Sequence, residues 1–452
     1  MEDLVLIKVI TYGTYDFLHE GHIRLLKRAK ALGDYLIVGV TADDFDKTRG
    51  KINVQQSLME RIEAVRSTGI ADEIIIEEYE GQKIDDIKRM DIDIFTVGSD
   101  WKGKFDYLNE FCKVVYLDRT EGISSSQIRG EKNKLRIGLV GEANLLLKFK
   151  READFVNGVK IISVYTHDES IFLNHKNGIK FYNENYEDFL NDIDAVYIVS
   201  HPSKHYEQIK QALYKKKHIL CESPLVTRID QWNELTEYAN EHKLILMDSL
   251  KTAYSIAYYR LLLLAKSGRI GNIVSIDATC TSLQDINYKN ETELVNKWNS
   301  ICSWGPTALL PIFQLLGTKY KKKIIISKFA NKIGNFDTFT KIDFIYDSAV
   351  ASLKVGKGIK SEGELIITGD KGYIYVPAPW WKTDYFEIRY EDSRENKRYF
   401  YQLDGEGIRY EIVSFSKTIE SGKQRVYIDK EVSKAIVEII ENMNDRQNIV
   451  EI

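Results

Sequence analysis

Thr11-Tyr12-Gly13-Thr14-Tyr15-Asp16-Phe17-Leu18-His19-Glu20-Gly21-His22 joins a β-rich apolar run, Val5 to Ile10, to a stretch of helical spacing, Ile23 to Leu32. A short apolar run followed by a 3.6-residue period reads as strand, turn, helix. Such a turn presents backbone N–H groups and the positive end of a helix dipole, so it attracts anions. Gly13 and Gly21 let the backbone come close to a phosphate. His19 and His22, the only histidines before residue 130, can donate hydrogen bonds to its oxygens. Taken alone, the pair also fits a surface loop or half of a metal site, and the flanking segments decide between these readings.

Outward from that turn, strand patterns at Tyr35 to Thr41, Glu73 to Glu77, Ile94 to Gly98 and Lys113 to Leu117 alternate with helical ones, as in a parallel α/β domain. Three segments suit nucleotidyl transfer. Arg119-Thr120-Glu121-Gly122-Ile123-Ser124-Ser125-Ser126 follows the last strand and offers a guanidinium, hydroxyls and a glycine turn for a triphosphate. Lys47, Arg49 and Lys51 flank Gly50 in a loop whose charge would offset anion built up during transfer; a solvated loop is the competing reading. Gly98-Ser99-Asp100-Trp101 lies beyond a strand C-terminus, where open α/β sheets bind ligands, and Trp101 would either cover a substrate or pack in the core.

A chain of 452 residues is too long for one core, and 44% apolar residues permit two or three domains. A net charge of −4 with both signs interspersed leaves no basic stripe for nucleic acid and no basic face for a membrane. The longest aliphatic stretch, Leu261 to Leu264, is far too short to span a bilayer, and no cleavable signal pattern is read. Cys112, Cys221, Cys280 and Cys302 show neither metal-ligand spacing nor a disulfide framework. The expectation is a cytoplasmic protein that binds neither nucleic acid nor membrane.

Residues 131–134 read as a polar linker after a first domain of residues 1–130. A second α/β series runs through Leu135 to Val140, Lys160 to Tyr165, Ala195 to Val199, His218 to Leu220 and Lys243 to Met247, giving a Rossmann-like domain over 135–250. Residues 251–430 are strand-rich and aromatic, as expected of an α+β sheet domain. An amphipathic helix around Glu431 to Met443 opens the final segment, 431–452. The fold class is α/β, two Rossmann-like domains with an α+β sheet domain packed on the second.

Residues 5 to 129 resemble the glycerol-3-phosphate cytidylyltransferase family. The resemblance rests on three signatures in order: His-x-Gly-His at His19 and His22, Gly98-Ser99-Asp100-Trp101, and Arg-Thr-x-Gly-Ile-Ser-Ser from Arg119 to Ser125. It implies transfer of CMP from CTP to a polyol phosphate, with Mg²⁺ and a homodimer or higher oligomer. It assigns His19 and His22 to the phosphates, Lys51 and Arg119 to the β and γ phosphates, and Ser124 and Ser125 to hydrogen bonds with them. Tyr12, Gly13, Thr14, Gly21, Gly98 and Asp100 are expected around the nucleotide. Asp16 would orient a histidine or help organise the metal. An adenylyltransferase of the same superfamily would carry the histidine turn too, and the cytidine preference rests on the resemblance.

From Leu135 onward the chain resembles the glucose-fructose oxidoreductase and inositol dehydrogenase family. Ser200-His201-Pro202-Ser203-Lys204-His205 stands where that family has Thr-Pro-Asn-x-x-His, and Cys221-Glu222-Ser223-Pro224 where it has Glu-Lys-Pro. The resemblance implies NADP or NAD held by Gly141, Ala143, Thr166, His201, Pro202 and Glu222. Several positions depart from the pattern. The turn from Gly141 keeps one of three glycines, Thr166 replaces the acid on the ribose, and Ser223 replaces the lysine. Pro311 and Leu315 stand where the family has Asp and His on a helix starting near Thr307. Lys251 and Tyr254, on one face of a helix ending near Ser267, are the substitute catalytic pair, with packing as the equal alternative. His205 is read as a loop anchor before a cofactor contact. Two readings stay open: a reductase that makes the polyol phosphate from a ketose or aldose phosphate, or a cofactor-free scaffold.

Overall fold

The computed structural model describes residues 6–42, 54, 56, 58–78, 81–118, 135–142, 144–156, 158–172, 178–284, 286, 294, 297–330, 335–401, 403–422 and 427–452. The chain divides into two compact units, residues 1–133 and 134–452.

In the first unit, β1 (Lys8–Gly13), β2 (Tyr35–Thr41), β3 (Glu73–Glu77), β4 (Ile94–Gly98) and β5 (Lys113–Leu117) alternate with α1 (Glu20–Lys30), α2 (Leu58–Ser67) and α3 (Gln82–Met90). All strands are parallel, in the order β3-β2-β1-β4-β5. Such a sheet buries both faces, and β1 supplies apolar residues to each. Val9 joins Leu26, Val38 and Val65 on one side, while Ile10 joins Ile37, Phe95 and Leu108 on the other. Each such fully buried side chain contributes roughly 1.5–3 kcal/mol. The strand expected over Val5 to Ile10 runs on to Gly13 because β2 pairs it that far, Gly13 lying opposite Val40. The sheet's connections reverse direction between β1 and β4, so the crevice for a ligand opens at their C-terminal ends.

The second unit begins with β6 (Leu135–Gly141), α4 (Asn144–Ala153), β7 (Val159–Tyr165), β8 (Lys180–Tyr182), α5 (Tyr186–Asn191), β9 (Ala195–Val199), α6 (Pro202–Tyr214), β10 (His218–Glu222), α7 (Ile229–Glu241) and β11 (Leu246–Ser249). Its parallel sheet has the order β11-β10-β9-β6-β7-β8, a doubly wound arrangement with its switch point between β6 and β9. The strand expected over Lys243 to Met247 starts later, after Lys243 takes φ 55°. The single helix expected from Lys251 to Ser267 is two, α8 (Lys251–Tyr254) and α9 (Ile256–Lys266). Ser255 between them is extended, and its side chain caps α9 by accepting the Tyr258 N–H.

A nine-stranded mixed sheet follows, built from β12 (Ile273–Thr281), β13 (Lys322–Phe329), β14 (Asp337–Ile345), β15 (Val350–Gly356), β16 (Leu365–Gly369), β17 (Tyr373–Val376), β18 (Tyr385–Arg389), β19 (Lys397–Phe400) and β20 (Ile449–Glu451). The helix expected to start near Thr307 is α10 (Ser300–Leu316), whose N-terminus is set earlier by Asn299 accepting the Cys302 N–H. It packs on β12, β14 and β15. Trp380 is buried against this sheet and donates to the Thr279 carbonyl at 3.1 Å, so its indole packs in the core. Of α11 (Ile408–Ser421) and α12 (Lys430–Asn444), the latter touches both α7 and α10. Trp232 Nε1 on α7 donates to Ser433 Oγ on α12 at 3.1 Å. No helix among the described residues is long and apolar enough to cross a membrane.

Candidate functional site

In the first unit the loop after β1 is built around two residues with positive φ, Tyr15 (54°) and Phe17 (47°). Tyr15 turns inward and is buried. A Cβ at Gly13 would stand 2.9 Å from its ring, so glycine is required there. His19 caps α1, its Nδ1 accepting the Gly21 N–H at 3.0 Å. In a neutral imidazole that acceptor role puts the proton on Nε2, making the distal nitrogen a donor. His22 stacks on His19 with ring centroids 3.9 Å apart, and Tyr15 meets it edge-on at 5.5 Å. The result is a stacked imidazole pair, His19 with its distal nitrogen a donor, beside the N-terminus of an eleven-residue helix. Gly98 ends β4 next to it, with Leu25 of α1 lying 3.8 Å from where a Gly98 Cβ would be.

The loop is held from behind by Arg61. This guanidinium on α2 is fully buried and donates to the Thr14 carbonyl (2.7 Å), the Thr41 carbonyl (2.8 Å) and the Gln56 carbonyl (3.2 Å). Asp16 Oδ1 accepts the Gln56 N–H at 3.0 Å, and Gln56 Oε1 accepts the Phe17 N–H at 2.6 Å. Tyr12 points into the core. Its hydroxyl donates to Asp86 at 2.9 Å, Lys83 sits over its ring, and burial with the Asp86 charge raises its pKa. Lys83 also pairs with buried Glu77, which accepts from Thr41 Oγ1.

In the second unit a cleft of about 930 Å³ opens at the β6/β9 switch point. One wall carries Gly141, Thr166, His167, Ser200, His201 and Lys204; the other carries Gln284, Lys297, Trp298, Ser303 and Lys357. Gly141 holds φ 134°, and a Cβ there would stand 2.5 Å from the Val199 carbonyl oxygen, so strand and turn meet with no side chain between them. His201 caps α6 by accepting the Ser203 N–H. His205, one turn on, is fully buried. Its ring nitrogens lie 2.9 Å from the Ser200 and Pro224 carbonyl oxygens, and burial pushes its pKa down to about 4. It anchors the loop.

Residues 10–131 match the cytidylyltransferase-like family model. Over 128 residues the chain is 49% identical to the glycerol-3-phosphate cytidylyltransferase of Bacillus spizizenii, covering 98% of that protein and 28% of this chain. Over 128 residues it is 47% identical to the Staphylococcus aureus enzyme of the same name, covering 93% of that protein and 27% of this chain. The chain belongs to the cytidylyltransferase-like family. In this cytidylyltransferase-like chain, residues 135–249 match a second model, the oxidoreductase family with an NAD-binding Rossmann fold. A 3-ketoreductase from Actinomadura kijaniata, solved with NADP and TDP-benzene, superposes with a TM-score of 0.61 at 17% identity, covering 71% of this chain and 99% of that one; this likeness gives the fold. The chain is thus a nucleotidyltransferase domain fused to an oxidoreductase-family domain.

Against the expectations, the cytidylyltransferase-like domain brings His19, His22, Gly13 and Gly21 to one turn. Trp101 is half-buried in the short turn Ser99–Trp101, against Phe105 at 5.9 Å and under Lys104, and Asp100 there is exposed. Lys51, Arg119, Ser124, Ser125 and Ala143 lie outside the described residues, as do Lys47 and Arg49. The Tyr12 side chain is turned into the core and committed to Asp86.

In the oxidoreductase-family domain, Gly141, Thr166 and His201 line the cleft, with Pro202 buried at the first turn of α6. Lys251, Tyr254 and Glu222 do not line it. Tyr254 is buried against Tyr427, its hydroxyl 3.4 Å from the Asp248 carbonyl, and burial holds its proton tightly. Lys251 pairs with Glu406 at 2.5 Å. Glu222 accepts from Tyr197 (2.5 Å) and Ser249 (2.7 Å), and burial raises its pKa.

Sequence reasoning missed Arg61, although Leu58, Arg61, Ile62 and Val65 share one helical face on which a charge is out of place. It also missed the far wall of the cleft, for which no local signal exists.

Proposed function

We propose that the first domain transfers CMP from CTP to glycerol phosphate or a related alditol phosphate, releasing pyrophosphate. The observation that carries this reading is the stacked His19–His22 pair at the head of α1, in which capping fixes the tautomer of His19. The acceptor's phosphate oxygen attacks the α-phosphorus in line, and catalysis is positioning and charge stabilisation. The histidine N–H donors and the α1 N-terminus take the charge that develops on the phosphates, with Lys51, Arg119, Ser124 and Ser125 assigned to the β and γ phosphates by family pattern. Mg²⁺, when bound, neutralises the triphosphate. It needs only one or two protein carboxylates beside the substrate's phosphates. Asp16 is assigned to the loop that would hold it. The identity to cytidylyltransferases supports cytidine over adenosine. The test is pyrophosphate release from CTP with a panel of polyol phosphates; release with none of them ends the reading.

For the second unit we infer an NAD(P)-dependent reductase that supplies the polyol phosphate from a ketose or aldose phosphate. The dinucleotide reading is supported by the cleft's place at the switch point with Gly141 and His201 on one wall, and Thr166 with His167 in place of an acid suits the 2′-phosphate of NADP. Bound, that cofactor supplies hydride. The competing reading, a scaffold within a homo-oligomer, is favoured by Ser223, Pro311 and Leu315 at the family's chemical positions. Binding of NADPH or NADH, followed by fluorescence, separates the two. Both activities are placed in the cytoplasm, a setting that suits the free cysteines Cys112, Cys221, Cys280 and Cys302.

A further inference from the structure

If the second unit is a reductase, something must protonate the carbonyl oxygen, and Ser223, Pro311, Leu315, Lys251 and Tyr254 do not offer that group to the cleft. Lys357 does. It follows β15 directly and lines the cleft opposite the dinucleotide turn, with its stem buried. Its backbone N–H donates to Ser300 Oγ at 3.0 Å and its Nζ to the Trp298 carbonyl at 2.6 Å. Among the described residues that carbonyl is the one hydrogen-bond partner of Nζ, and an ammonium has three protons to give. Trp298 in turn meets the His205 ring edge-on at 5.8 Å, and His205 contacts the Ser200 carbonyl at the end of β9. The amine is therefore indexed to the switch point by packed groups.

We propose that Lys357 gives its proton to the carbonyl oxygen of a substrate in this cleft, with Lys297 and Lys204 receiving a phosphate on the same molecule. The hydride leaves C4 of a reduced nicotinamide for the carbonyl carbon, and the C=O π pair moves to oxygen. Oxygen takes the Lys357 proton, the dinucleotide is oxidised, and the neutral amine regains a proton from solvent. The groups facing the amine are Lys297, Cys302 on α10, Asp337 on β14, and His201 at the head of α6, which Lys204 also faces. Burial first and the Lys297 charge second hold the Lys357 pKa down at about 8, against an opposing pull from Asp337 and Cys302. A general acid works best when its pKa lies near the working pH.

The inference rests on the reductase reading, and its test keeps the two apart. The full-length protein is treated with pyridoxal 5′-phosphate, an aldehyde that carries a phosphate, then with borohydride, and the modified lysines are mapped with and without saturating NADPH, whose binding is followed by fluorescence. At neutral pH, Lys357 is expected to label on the order of 100-fold faster than the exposed Lys160, with a midpoint near 8 and strong protection by NADPH. NADPH binding accompanied by Lys357 labelling no faster than Lys160, or by labelling that NADPH leaves unchanged, overturns the inference and spares the reading. Absence of NADPH binding removes the reading and the inference with it.

Discussion

Both units start a helix with a histidine placed just after a strand, and the two turns have opposite fates. His19 caps α1 and His201 caps α6, each accepting the N–H two residues on. One turn later comes a second ring, His22 in the first unit and His205 in the second. His22 is half-buried and stacked on its neighbour, whereas His205 is sealed in with both ring nitrogens against backbone carbonyls. A ring whose nitrogens both face the backbone has nothing to offer a ligand. The spacing of two histidines across a helix start thus marks a location, and burial decides whether the second one works or merely holds.

The largest test of that contrast is His19→Asn. Asparagine is a good cap and lacks the distal ring nitrogen, so pyrophosphate release should fall about 10³-fold while helix content by circular dichroism stays unchanged. His22→Ala should cost a similar factor. Near-normal turnover in either would make the two turns equivalent.

Arg61→Met should cost the first unit about 3 kcal/mol in urea unfolding, since three carbonyls lose a charged donor, and should raise the KM for CTP.

His205→Gln sharpens the other side. In the unfolded chain this histidine takes a proton near 6.5, in the folded one near 4. Its contribution is whole above 6.5 and drains away as pH falls towards 4, by about 3 kcal/mol. Asp248 and Asp337, held up at about 6 by burial, tilt the opposite way: their contribution is present below 3.8 and lost as pH rises through 6. The difference between wild type and His205→Gln across that range isolates the histidine; an unchanged pH slope would mean the ring titrates normally.

Gly141→Ala should cost roughly 2 kcal/mol, through its positive φ and the Val199 carbonyl, together with NADPH binding. The smallest effect is expected for His201→Asn, which keeps the cap and should change NADPH affinity about threefold or less by fluorescence titration.

The parallel strands were legible because each is a short apolar run between turns. The histidine turn was legible because its residues are consecutive. Boundaries shifted where one residue's local geometry intervened, as with the extended Ser255 that splits α8 from α9 and the Asn299 cap that starts α10 early. Lys251 and Tyr254 looked catalytic because helical spacing shows which residues share a face but not what that face meets. Lys357 and Trp298 gave no sign, since only the packing of the sheet domain on the Rossmann sheet carries them to Gly141.

The α12 helix, touching α7 on one side and α10 on the other, ties the Rossmann sheet's helices to those of the sheet domain. A gaping hinge would have to tear the Trp232–Ser433 bond, so cargo should enter through small shifts at the mouth. With the other five tryptophans replaced, the indole of Trp232 serves as a built-in strain gauge: its emission should stay steady during loading and change only when the halves part.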